Sequence, residues 1–442
     1  LIIWLILVGV AVSGALPPPV GADNAMSLAQ TIEAALEVNL ALQISASGVR
    51  AADARRKARR ADFLPTFSTS YQYLHRDRDR NQETFLPGVT VPNEIIVQPQ
   101  DEYTFIGTVS QPLFAGFGLI NQYQAAQIGL DLATLTEKQT RLDVIFHAQE
   151  TYFSLLKALK HREVAAQTVM QISAQRDVAQ SFYDEGLSPR NDLLQSLARL
   201  ANAEQELVRA QNRLDIGRSR FNTMLRRPID TPVSIVDMQD YRPLSITLDD
   251  GLQTARQNRL DIEIANKQVQ LAEKEMAIAK RDYYPAVTLK GNYYQRGTDW
   301  QVNGGEGIGD RYQWEVMAEA SWNIWEWGRT YYGVQDKFFQ LQQAQQQREE
   351  ILDNVALEVK DLLLSARASE TNIRTVGQAL EQARENYRIN QERYKEQVAT
   401  NTDVLDAQTL LAETLTNYYD ALYDFNIATA ALNRAMGLEI RE

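Results

Sequence analysis

The second half of the chain repeats the first. Ala61-Asp62-Phe63-Leu64-Pro65 matches Arg281-Asp282-Tyr283-Tyr284-Pro285, and at the same offset Leu28 pairs with Leu248, Leu40 with Leu260 and Leu42 with Ile262. Further on, Phe117-Gly118 matches Trp327-Gly328, the stretch from Tyr183 to Asp192 matches Tyr394 to Asp403, and Asn222 matches Asn433. Each copy runs helix, Pro, strand, polar loop, strand, Gly, long helix, short turn, long helix, so the fold must be built from two equivalent halves. The expected boundaries are 26–234 for the first copy, with a strand pair near 65–114 and a helical hairpin over 119–227. The second copy is expected over 235–442, with a helix over 247–282, a strand pair near 286–324 and a hairpin over 329–437.

The strands alternate in a way that suits a lipid boundary. Tyr312, Trp314, Val316, Ala318, Ala320 and Trp322 alternate with Gln313, Glu315, Met317, Glu319, Ser321 and Asn323. Phe67, Thr69, Tyr71 and Tyr73 do the same against Ser68, Ser70 and Gln72, as do Tyr103, Phe105, Gly107 and Val109 against Thr104, Thr108 and Ser110. Val287, Leu289, Gly291 and Tyr293 alternate with Thr288, Lys290 and Asn292. Segments of about ten residues with this two-residue period and aromatic ends are the pattern of a membrane β-barrel. Half-buried strands of a soluble sandwich alternate similarly, so the strands alone leave both readings open.

The helices narrow the choice. From Leu119 to about Tyr183 there is no Pro, and apolar residues recur in heptad-like spacing at Leu135, Leu142, Phe146, Phe153, Leu156 and Leu159. The return helices carry Leu193, Leu200, Leu207, Leu214 and Phe221, and Val404, Leu411, Tyr418, Phe425 and Leu432, both in strict sevens. At about 1.5 Å per residue the first long helix reaches roughly 100 Å. About four strands per chain cannot close, and an open edge in lipid leaves backbone polar groups unsatisfied. Several chains must therefore pool strands: two copies give about eight and three about twelve, both workable. A barrel of that width with polar inner faces holds water. The loops 76–101 and 296–310 are expected outside the cell, with the helical arms pointing inward.

Composition removes other functions. The net charge of −12 argues against a nucleic-acid partner, and the absence of cysteine removes thiolate nucleophiles, Cys-ligated zinc, disulfides and a cysteine-borne lipid. The stretch from Leu1 to about Leu16 is apolar and breaks at Pro17-Pro18-Pro19, as in the apolar core of an export signal over 1–25, with an uncleaved anchor as the alternative. Without Met or a basic start, the sequence is expected to lack its first residues. His75, His147 and His161 lack metal-ligand spacing, and neither a Walker loop nor HExxH nor GxSxG occurs. Gly305-Glu306-Gly307-Ile308-Gly309 reads as a flexible loop, and no cofactor and no enzymatic activity are expected. Arg50, Arg55, Arg56, Lys57, Arg59 and Arg60 crowd a helix C-terminus just before a strand. Compensation of the helix dipole and solvation account for them, with contact to lipid headgroups as the alternative.

With these residues in view the chain resembles the TolC family of outer-membrane efflux and secretion ducts. The resemblance rests on the duplicated order of elements and on Gln111-Pro112-Leu113-Phe114-Ala115-Gly116-Phe117-Gly118 leading into the long helix. It rests equally on the tips Phe182-Tyr183-Asp184-Glu185-Gly186-Leu187-Ser188 and Tyr394 to Ala407, and on the closing Leu432-Asn433-Arg434-Ala435-Met436-Gly437-Leu438. It implies an α+β membrane protein: a homotrimer with a twelve-stranded outer-membrane barrel, continued by a coiled-coil helical tunnel in the periplasm. It also implies docking to a periplasmic adaptor that links the duct to an inner-membrane pump. The duct would pass small molecules (drugs, metals, solutes) or polypeptides passively, in a tripartite efflux pump or a type I secretion system. The rival expectation is a soluble periplasmic coiled-coil scaffold.

Asp192 and Asp403 are repeat equivalents at the starts of the two return helices, and Asp406 follows Asp403 on the same face. Pooled copies would ring a narrow opening with carboxylates that favour cations. The resemblance assigns Asp403 and Asp406 to that ring, and Asp192 with Tyr394 to contacts that hold it shut. Thr400-Asn401-Thr402-Asp403 also reads as a helix cap. Where family members can carry an arginine, this chain has Ala399, so the lock is weaker or supplied by a residue such as Arg190. The turns Glu185, Gly186, Leu187, Ser188 and Gln397, Val398, Ala399 are the expected adaptor-docking tips, with Gly186 left-handed and Ser188-Pro189 as cap and first helical residue.

Overall fold

The computed structural model describes residues 25–84, 93–238 and 241–440. The expected export segment therefore lies outside the described residues apart from Ala25, as does the tip of the first loop over 85–92. The chain forms two compact units. One comprises the described residues up to Asn39 with Leu142–Gln253 and Val359 onward; the other comprises Leu40–Arg141 and Thr254–Glu358.

The duplication is visible in element lengths. Helices α1 (Leu28–Val38) and α5 (Leu248–Asn258) have 11 residues each. The long α3 (Gly118–Asp184) and α7 (Arg329–Lys395) have 67 each, and the return helices α4 (Arg190–Met224) and α8 (Asn401–Ala435) have 35 each. The single helix expected over 247–282 is instead α5, a break at Arg259, α6 (Leu260–Ala279) and one 3-10 turn at Lys280–Tyr283. Arg259 is extended (φ −70°, ψ 121°), and Asn39, its repeat equivalent before α2 (Leu40–Ala61), is extended alike (φ −66°, ψ 124°). Neither Pro nor Gly marks these breaks. Arg259 holds its own by pairing with Asp261 at 2.6 Å and with Glu358.

In the second unit, strands β1 (Thr66–His75), β4 (Asp101–Ala115), β5 (Ala286–Gly297) and β6 (Tyr312–Ser321) form one antiparallel sheet in the order β1-β4-β5-β6. The first loop differs from expectation, because it folds as a separate hairpin of β2 (Arg80–Thr84) and β3 (Asn93–Gln98). The sheet register places like with like: Phe67 opposite Val109, Tyr71 opposite Phe105, Gly291 opposite Val316, and Tyr293 opposite Trp314. The alternating apolar positions of the four strands thus fall on one face, and there Phe67, Trp314 and Val316 stay 77%, 73% and 65% exposed. The other face is mostly polar, with Leu74, Ile106 and Met317 as its apolar members and with Thr108 bonded to Asn292 and Asn292 to Glu315 across three strands. Among the described residues β1 and β6 each pair on one side only, which leaves two backbone edges open.

Each strand enters its long helix through a left-handed turn. Gly116 and Phe117 have φ of 58° and 64°, and Trp327 and Gly328 have φ of 52° and 83°. Gly116 is obligatory: a Cβ there would lie 2.3 Å from the carbonyl oxygen of Arg281.

The first unit is a set of coiled-coil seams. The heptad residues of α8 are buried at Val404, Leu411, Phe425 and Leu432, and three residues after each large side chain stands a small one, at Ala407, Thr414, Ala421, Ala428 and Ala435. In α4 the same alternation sets Leu193, Leu200, Leu207, Leu214 and Phe221 against Ser196, Ala203, Ala210 and Gly217. Large knobs fill the space above small neighbours, which draws the helix axes together. Ile172, Ala203 and Leu405 meet in one such layer, and Leu380, Ala383 and Leu411 in another. The linker between the copies is pinned by buried polar groups. Tyr152 donates to the Val236 carbonyl (2.6 Å), Tyr423 donates to Asp237 (2.8 Å), and Lys160 pairs with Asp237 (2.7 Å). Burial pushes the Tyr152 hydroxyl up to about 12, so it stays a proton donor.

Candidate functional site at the hairpin tips

The two hairpin turns have the same backbone. In the first, Gly186 N–H donates to the Tyr183 carbonyl and Leu187 N–H to that of Phe182; in the second, Gln397 donates to Tyr394 and Val398 to Arg393. This is the Schellman arrangement, which needs a left-handed residue after the helix. Gly186 supplies it at φ 73° as expected, whereas Gln397 adopts φ 59° with a side chain. Replacing Gln397 by Gly relieves that conformation, and a stabilisation of about 1 kcal/mol is expected. Slower hydrogen exchange at Gln397 and Val398 is the check. At the following position both turns expose an aliphatic side chain, Leu187 at 52% and Val398 at 63%. Glu185 and Gln397 are also exposed, and Ala399 is half-buried.

The return helices begin differently. Thr400 caps α8 with a full capping box: its hydroxyl accepts from Asp403 N–H (3.2 Å), while the Asp403 carboxylate accepts from Thr400 N–H (2.8 Å) and from its hydroxyl (2.7 Å). These bonds hold the Asp403 carboxyl below the usual carboxylate range. For α4 the structure corrects the expectation. Pro189 is itself the N-cap, with no side-chain bond, because its ψ of 152° keeps it outside the helix. Ser188 therefore stands one residue too early, and its hydroxyl is buried without a partner among the described residues.

Asn401 lies at the centre of the tip. It is fully buried; its amide donates to the Asp192 carbonyl (3.0 Å) and the Ser196 hydroxyl (2.9 Å), and its oxygen accepts from Gln175 (2.9 Å). Thr402 adds a bond to Gln195 (3.0 Å). One side chain thus ties α3, α4 and α8 together. Sequence reasoning missed Asn401, since its repeat equivalent is Arg190, which is exposed. The available sign was the pair of small or amide residues Gln175 and Ser196 facing the same seam.

The acidic residues fall into distinct settings. Asp403 is exposed and engaged in its own cap; Asp406 is exposed and pairs with Arg199 at 3.2 Å. Asp192 is half-buried and raises the Tyr394 hydroxyl's affinity for its proton, an effect second to burial. Tyr394 is 4% exposed, its ring lies 5.4 Å from that of Phe182, and its hydroxyl has no hydrogen-bond partner among the described residues. So Asp192 and Tyr394 are brought together, while Asp406 is matched to a cation that the sequence reading did not single out. His161 is bonded to Asp420 at 2.6 Å, away from the tips.

Residues 31–225 and 251–438 match the model of the family described as outer membrane efflux protein. Outer membrane protein TolC of Vibrio cholerae is 21% identical over 340 residues, covering 74% of this chain and 77% of that protein. Among solved structures, the CmeC outer membrane channel of Campylobacter jejuni superposes with a TM-score of 0.78 at 16% identity, over 93% of this chain and 85% of that one. The outer membrane protein VceC of Vibrio cholerae gives 0.76 at 17% identity, over 93% and 96%. At such identities the structural likenesses establish the fold, that of a channel with a helical tunnel and a few strands per chain.

Proposed function

The chain belongs to the outer membrane efflux protein family, and from that premise we propose that it is the exit duct of a tripartite efflux pump or a type I secretion system. Three copies supply twelve strands, and cargo enters at the hairpin tips from an inner-membrane pump through a periplasmic adaptor. The observation that carries this reading is the sheet with one exposed apolar face and two open edges. Such a sheet is stable in hydrocarbon only when each β1 edge meets the β6 edge of another copy. The rival soluble scaffold would leave that apolar face in water, against an outer-membrane location.

The tips suit an adaptor: Leu187 and Val398 are exposed aliphatic side chains at equivalent positions of two rigid turns, so one partner can meet both alike. Since the chain has no cysteine, Val398→Cys and Leu187→Cys each create a single labelling position. Cross-linking of a periplasmic adaptor from both positions is expected, together with a trimeric mass in detergent. A folded, stably inserted monomer would overturn the duct, and cross-links confined to the barrel unit would overturn tip docking.

A further inference from the structure

The basic end of α2 has no counterpart in the repeat. Between residues 50 and 62 stand six basic residues against Asp53 and Asp62, a net charge of +4 in a chain whose total is −12. The equivalent stretch, 270–282, has Lys274, Lys280 and Arg281 against Glu273, Glu275 and Asp282, and is neutral. Both helices lead to the same Pro and the same kind of strand, so neither folding nor the helix dipole demands the basic cluster.

Internal pairing does not absorb this charge. Asp53 pairs with Arg56 (2.8 Å) and Lys57 (2.7 Å), and Asp62 with Arg59 (3.2 Å). Arg50, Arg55 and Arg60 are exposed and have no carboxylate partner among the described residues. The next residues along the chain are apolar and also exposed: Phe63 at 37% and Leu64 at 61%. The ring of Phe63 lies 6.2 Å from that of Tyr123, and at the same end of the sheet stand Phe117 (52%) and Tyr284 (48%), with ring centroids 5.6 Å apart. An aromatic collar marks the edge of the hydrocarbon layer of a barrel. Arg59 and Arg60, in the last turn of α2, therefore sit one step outside that edge, at the end of the strands that meets the helices, and Arg50 begins the cluster about 15 Å farther along the helix.

We propose that the last turns of α2 form a binding surface for anionic phospholipid headgroups of the periplasmic leaflet of the outer membrane. Clustered Lys and Arg next to a membrane boundary attract acidic lipid at short range, and salt screens the attraction. Guanidinium groups fit phosphate oxygens in pairs, which suits a cluster that is five-sixths arginine. The proposal rests on the barrel reading above, and its test separates the two.

The full-length protein is equilibrated in mixed micelles containing equal phosphatidylglycerol and phosphatidylcholine, and retained lipid is weighed by native mass spectrometry. The comparison is with the triple variant Arg50→Gln, Arg55→Gln, Arg60→Gln. The unmodified protein should retain phosphatidylglycerol preferentially at low salt and lose the preference at 1 M salt, while the variant's preference falls about tenfold or more. Equal preference in both proteins overturns the surface. So does a variant that no longer assembles in pure phosphatidylcholine vesicles, which makes an acidic face of a second copy the occupant. Failure of the unmodified protein to insert and conduct in vesicles of any composition instead refutes the barrel.

Discussion

Asp403→Asn with Asp406→Asn should abolish cation preference in single-channel recordings while leaving the protein folded and assembled. Asn is the informative substitution at 403: its side-chain oxygen still accepts from Thr400 N–H, so the cap persists while the charge goes. Ala removes both and mixes two effects. Three copies would place six carboxylates around one opening, and at a constriction fields of one sign add. Asp406 already has a counter-charge in Arg199 at 3.2 Å, so Arg199→Gln should raise cation preference above that of the unmodified channel. The pH response has a definite sign. Because the folded Asp403 carboxyl is held below its ordinary range, its charge and its support of the cap are fully present above that range. Both are lost as pH falls through the lowered value, beneath the ordinary carboxylate range. Unchanged ion selectivity in the double Asn variant would remove the ring.

Asn401→Ala is expected to loosen the entrance. The substitution strands the Ser196 hydroxyl, the Gln175 amide and the Asp192 carbonyl, the first two in positions 0% and 6% exposed. Each buried polar group left without a partner costs about 1–3 kcal/mol, so a loss of roughly 3 kcal/mol is expected at the tip. Asn401→Leu does no better, because the partners stay polar. The readout is hydrogen exchange in the first turns of α4 and α8, where protection should drop about a hundredfold, together with a higher resting conductance. Protection that stays at its original level would mean that the seam residues Val404 and Leu405, not Asn401, hold the helices together.

What could be read beforehand depended on the range of the physics involved. The strands and seams were legible because burial imposes a period: two for Phe67 to Tyr73, seven for Leu193 to Phe221 and for Val404 to Leu432. The repeat then doubled each clue, and the family resemblance followed from the order of these parts. The breaks at Asn39 and Arg259 were not legible, since an ordinary residue turns extended there and the partner of Arg259, Glu358, is remote in sequence. The β2–β3 hairpin lies in a segment whose prolines Pro87, Pro92 and Pro99 carry the pattern of a loop. At the tips, the Thr400 cap is local and was visible, and Gly186 likewise. Arg199 with Asp406, and Asn401 with Gln175 and Ser196, join residues more than 200 positions apart, and no local pattern announces them.

The unpaired borders of β1 and β6 bear on inheritance as well as on lipid. In the proposed assembly the two borders differ, so neighbouring copies would join head to tail, and the circle would be complete only when every joint is made. One subunit with a spoiled border opens the whole circle, so a defective allele expressed beside a sound one would poison most assemblies instead of halving their number. Lesions in these two strands should therefore behave as dominant in a mixed cell, while lesions in β4 or β5 that prevent folding of their own copy should be recessive.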